Sequence, residues 1–176
     1  MKKLLITFLF VGGILLLYWG IGGFPIVLDN STQVIPLAKL NSGTFNPLEG
    51  MSLDTGENKV ILLLSFDDII ELPSNVCKRK VLVCSDNSIL KQLQNNFDFK
   101  ISGGDMATAQ SQIIVVKNNE IILKANLVID ENFIGIQNEK LGWAEATNKE
   151  KLYNLFKKFK PYRRLLLVLS NNRLGV

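Results

Sequence analysis

The chain contains no histidine. That removes Ser-His-Asp and Cys-His catalysis and every histidine-ligated metal site. Cysteine occurs only at Cys77 and Cys84. Two thiolates do not complete a four-thiolate zinc site. Neither a GxxxxGK[ST] phosphate loop nor a GxSxG nucleophile elbow is present. No alanine precedes Ala38, and no proline lies between Pro73 and Pro161. Net charge is only +4 over 176 residues, and Lys2 and Lys3 supply two of the positive charges. The remainder is close to balanced, which gives no case for a nucleic-acid partner. Together these absences imply no catalytic set, no metal and no cofactor.

What is abundant is apolar. Hydrophobic residues make up 47% and charged residues 20%, as in a folded chain with a real core. "MKKLLITFLFVGGILLLYWGIGGF" opens the sequence, and the 21 residues from Leu4 to Phe24 carry no charge. A helix needs roughly 20 such residues to span a bilayer. The apolar region of a cleaved signal is shorter, about 7–15 residues, and ends at an A-x-A-like site. The length therefore predicts a retained transmembrane anchor over residues 1–24, touching lipid through 4–24. Lys2 and Lys3 would mark the cytoplasmic side. The rest of the chain would lie outside the cytoplasm, as a single-pass protein of a bacterial inner membrane.

Residues 25–57 hold Pro25, Pro36 and Pro47 among turn-forming residues and read as a tether and N-terminal extension. Residues 58–176 read as an extracytoplasmic α/β domain. "KVILLLSF" (59–66) is a continuous apolar run, as in a strand covered on both faces. "KRKVLVCS" (78–85) holds a second. "SILKQLQNNF" (88–97) has a helical apolar stripe, with Asp86 or Ser88 as its cap. "SQIIVVKNNEIILKANLVI" (111–129) reads as a hairpin turning at Asn118-Asn119, because asparagine tolerates positive φ. "TNKE" (147–150) fits a capping box with Thr147 as cap and Glu150 reaching back. Leu152, Leu155, Phe156 and Phe159 then form the stripe of a last helix, followed by a strand in "RRLLLVLS".

The order carried by "NKVILLLSF", "RKVLVCSDNSILKQLQNNF", "SQIIVVKNNEIILKA" and "KEKLYNLFKKF" resembles a thioredoxin-like domain. The resemblance covers roughly 59–160 and implies a mixed sheet flanked by helices behind a membrane anchor. It needs a short helical crossover within 67–77. The family's redox signature is missing. Where its CxxC would stand, the chain has Asp67-Asp68-Ile69-Ile70. Where its cis-proline would stand, it has Gln110-Ser111. The resemblance thus implies a degenerate member.

The remaining candidate sites each have a plain alternative. Cys77 and Cys84 are a possible redox or disulfide pair, but their spacing is not that of a CxxC. A local bridge conflicts with an extended 80–84 segment, and unbridged thiols with Cys84 buried in a strand fit better. Asp67 and Asp68 follow a buried strand, where catalytic carboxylates often sit, yet capping of a short helix explains them more simply. Gly103 and Gly104 lie in the loop "SGGDMATAQ", a candidate partner contact or a plain connection. "DENFIGIQNEKLGWAEA" (130–146) reads as a long insertion, where Phe133 and Trp143 are candidate anchors for a partner or fold back onto the core. The basic run "KEKLYNLFKKFKPYRR" reads as a solvated helix face. The expected function is non-catalytic: a binding or assembly subunit of a bacterial envelope complex such as a secretion, conjugation or pilus machine. The alternative is a tethered thiol-disulfide oxidoreductase using Cys77 and Cys84.

Overall fold

A computed structural model describes residues 2–18, 24–34, 43–102, 110–138, 142–170 and 173–175. The strand β3 (Asn58–Leu63) shows why its sequence is continuously apolar. Side chains alternate across a sheet, so Val60 and Leu62 enter one core while Ile61 enters another. Both faces of the strand are covered, as expected. The sheet around it, however, is almost wholly antiparallel.

β3 pairs on one side with β4 (Val81–Cys84) and on the other with β6 (Ser111–Lys117), both antiparallel. β6 turns through Asn118 and Asn119, with φ of 50° and 66°, into β7 (Glu120–Ile129). β8 (Ile134–Asn138), β9 (Gly142–Ala146), β5 (Phe99–Ile101) and β2 (Thr44–Phe45) continue the same sheet. At the opposite end β10 (Lys160–Pro161) caps the edge of β4. The stretch read as an insertion is therefore the β8–β9 hairpin.

This order corrects the thioredoxin-like α/β expectation. A parallel βαβ crossover takes a dozen or more residues, usually a helix. Residues 64–80 between β3 and β4 are long enough for that, but their one helix, α2 (Phe66–Glu71), ends at Leu72 just before Pro73, and the chain from there returns along the same edge of β3. The chain turns back instead, and Val60 faces Cys84 across an antiparallel ladder. The only parallel pairing among the described residues joins β1 (Ile26–Asn30) to β11 (Leu166–Ser170).

The front face of the sheet is covered by α2, α3 (Asn87–Gln94) and α4 (Lys149–Phe156). Leu90, Leu93, Leu152 and Phe156 are fully buried against Val60, Leu62 and Val115. Asp86 caps α3, taking the Ser88 and Ile89 amides. α4 begins one residue later than the sequence implies. Asn148, not Thr147, accepts the Lys151 amide at 3.0 Å.

The back face is covered differently. β7 outlasts β8, and its freed edge takes Val34 at Lys124 and then β12 (Arg173–Gly175) at Glu120. β12, β11 and β1 form a small layer whose inward side chains Leu167, Leu169, Val27 and Leu174 pack on Ile61, Ile114 and Val116. Residues 25–57 thus supply β1 and β2 to the sheet, and Leu48 and Leu53 to the front core.

The membrane-anchor expectation is also corrected. α1 covers Lys2–Leu17, 16 residues. At a rise of about 1.5 Å per residue it reaches roughly 24 Å, short of the ~30 Å hydrocarbon core. Among the described residues no helix is long and apolar enough to cross a membrane. Residues 19–23 of the expected span lie outside the described residues. The single-pass, inner-membrane, periplasmic placement rested on that span and is withdrawn with it. None of the α1 side chains is buried.

Candidate functional site

The back layer does not close completely. Between it and the sheet lies a groove of about 290 Å³. Strand alternation places Lys59 and Ile61 of β3 on this face, beside Val83 of β4. Leu174 of β12 forms the facing wall. The turn after β10 completes it. The Tyr162 amide donates to the Val81 carbonyl at 3.0 Å, and its hydroxyl donates to the Leu166 carbonyl at 3.0 Å. Tyr162 thereby fixes the turn to both layers. Burial raises its phenol pKa, opposed by the nearby Arg164 charge, so the hydroxyl stays a donor. The next residues, Arg163 and Arg164, stand exposed at the groove.

The electrostatics are one-sided. Among the described residues three cations line the groove and no carboxylate does. Among the described residues the ion pairs are Lys91–Asp54 and Lys124–Asp29, so Lys59, Arg163 and Arg164 are in neither. Their charges remain available above an apolar floor. The arrangement suits anion binding. Ser85 also lines it, but a chain without histidine has no imidazole to activate a hydroxyl.

A latch holds the back layer in place. The Lys124 ammonium is buried and donates to both Asp29 oxygens at 2.8 and 2.7 Å, and to the Ser31 carbonyl and hydroxyl at 2.9 Å each. The backbones of Val34 and Lys124 exchange hydrogen bonds beside it. Burial alone would raise the Asp29 pKa. The bonds from Lys124 and Ser31 outweigh it, and the carboxyl lies below its ordinary value.

The residues singled out in the sequence fall elsewhere. Cys77 and Cys84 are free thiols. Cys84 ends β4 on the front face, and burial pushes its thiol up, away from a reactive thiolate. Cys77 packs partly buried against the same core. Ser65 caps α2, receiving the Asp68 amide at 3.1 Å. Asp68 in turn accepts the Ser111 hydroxyl, and Ser111 accepts the Ser65 amide at 2.7 Å. Asp68 is thus engaged in joining α2 to β6, while Asp67 is exposed. Gly103 and Gly104 lie outside the described residues.

Trp143 is 1% exposed and meets half-buried Phe133 edge-on, ring centres 5.9 Å apart. Its indole covers Gly135 so closely that a β-carbon there would sit 2.1 Å from Cη2. Among the described residues no cluster of three metal-ligating side chains forms. The groove residues Lys59, Arg163, Arg164 and Leu174 escaped sequence reasoning. The available signal was the "YRR" that ends the basic run. No family model, curated protein or solved structure matches the chain.

Proposed function

We propose that this chain is a binding protein, an accessory or assembly subunit that docks a partner and performs no chemistry of its own. The observation that carries the reading is the groove: three cations in no described ion pair over an apolar floor. Such a surface gains from an anionic partner through charge-assisted hydrogen bonds and from apolar contact at once. The state of the thiols supports it against the redox alternative. A disulfide-exchanging cysteine needs an accessible thiolate, whereas Cys84 is buried with its pKa raised.

The test is isolation of the tagged full chain from its own cells after mild cross-linking, read by native mass. A stoichiometric complex is expected, and the double reversal Arg163→Glu with Arg164→Glu reports whether the groove holds it. A lone monomer counts against the proposal. So does turnover of a dithiol substrate that disappears on Cys77→Ser or Cys84→Ser.

A further inference from the structure

The groove has a chemistry narrow enough to name its occupant. Building on the binding reading above, we infer that it takes an acidic peptide segment: one apolar side chain seated on the floor, flanked by carboxylates. The floor is Ile61, Val83 and Leu174; the cations are Lys59 from the sheet and Arg163 and Arg164 from the 161–164 turn. Among the described residues no acidic side chain lines the groove to compete with a ligand's carboxylates. Arginine offers a planar fork that grips a carboxylate through two hydrogen bonds, and two adjacent arginines accept two acids in succession.

Openness favours a segment of protein over a free small molecule. Enclosed ligand pockets run about 300–1,000 Å³ and bury some 70–90% of the ligand. This groove holds about 290 Å³, and both arginines are solvent-exposed. An occupant remains open to water on one side, as a peptide docked on a surface does. A nucleic acid is a poorer fit. It requires cations repeated along a backbone, and its affinity comes from phosphates with no call for an apolar floor. The chain's net charge of +4 adds little long-range attraction for a polyanion.

Peptide selection tests this directly. A phage-displayed random heptapeptide library is panned on the full chain. One enriched sequence is then synthesised and titrated by fluorescence anisotropy. The expected consensus is one aliphatic or aromatic residue between acids, with binding that weakens as salt rises. Replacing the apolar residue of the peptide by serine weakens it further. The Arg163→Glu, Arg164→Glu chain loses at least about tenfold in affinity, the scale set by a lost charge-assisted bond. A matched control, Lys2→Glu with Lys3→Glu, changes net charge equally on α1 and leaves affinity unaltered.

The inference falls if no sequence is enriched or the consensus is neutral or basic. It also falls if both double variants lose affinity alike, or if a single-stranded DNA 20-mer displaces the peptide and binds more tightly. It can fail separately from the reading it rests on. A stoichiometric cellular partner still captured by the Arg163→Glu, Arg164→Glu chain keeps the binding reading and removes the groove from it.

Discussion

The two faces of the sheet are covered by different means, and the difference separates structure from site. In front, α3 and α4 press complete apolar stripes onto the strands, and the core runs unbroken from Leu48 to Phe159. Behind, three short strands cover a smaller core. They are tied to β7 by Val34, by the Arg173–Glu120 pairing and by the Lys124–Asp29 latch. Helices with several buried positions each close a face fully. A narrow strand layer leaves an opening at its margin, and the cations stand there. Regions with fewer buried apolar contacts open more easily, and binding surfaces are drawn from that end of the stability range.

The largest expected effect lies in front. Phe156 is fully buried and meets Phe159 edge-on, ring centres 5.5 Å apart. Phe156→Ala should cost about 3–5 kcal/mol and lower the denaturant midpoint of the whole fold. A variant that loosened only the helices, with β3 and β6 amides still protected from exchange, would break the view that the front core is the common support.

The latch should behave differently. Lys124 is nearly all buried, its side chain 5% exposed against 23% for Asp29. Asp29→Ala leaves a buried ammonium with only Ser31, a loss of about 2–3 kcal/mol. Lys124→Met leaves a carboxylate that water can reach, so it should cost clearly less. In Asp29→Ala, hydrogen exchange should accelerate in β1, β11 and β12 and not in β3 or β6. Equal costs for the two variants would refute the asymmetry. Acid tests the same pair. The folded pKa of Asp29 is below its ordinary 3.8. Its contribution is therefore complete above that value and is lost as pH falls through the lower, folded one. The stability gap between the native chain and Asp29→Asn should narrow on acidification in that window.

Gly135→Ala comes next. Its new methyl must displace the Trp143 ring, and overpacking of this kind costs about 1–3 kcal/mol. Trp143→Phe in the same chain should recover part of the loss. Simple addition of the two single costs would show that the ring and the glycine do not share one space.

How much of this could be read in the sequence follows from which interactions are local. The Asn118-Asn119 turn, the α3 cap (narrowed to Asp86 or Ser88) and the stripe of α4 are set by residues a few positions apart. Each was legible. The direction of strand pairing was not. "KVILLL" reads the same whether helices cover both faces or helices cover one and strands the other. The latch joins residues 95 positions apart, and nothing near Lys124 in sequence announces Asp29. The β8–β9 hairpin was hidden because Gly135 and Trp143 explain each other only across the strands. The groove was hidden for the same reason. Lys59 and Arg163 are far apart in the chain, and the basic run drew attention to α4 and away from the turn after it.

The smallest expected effect is the one that best separates the faces. Arg163 and Arg164 are exposed and belong to neither described ion pair. Reversing both should leave the denaturant midpoint within about 0.5 kcal/mol of the native chain, as for surface positions that support nothing. Tyr162 makes the contrast, since its hydroxyl bond to Leu166 ties the turn to β11. Tyr162→Phe should cost about 1 kcal/mol. If the arginine reversal proved as costly as the tyrosine change, the cations would be part of what holds the back layer on. A silent reversal leaves their charge free for a partner, as the proposed groove requires.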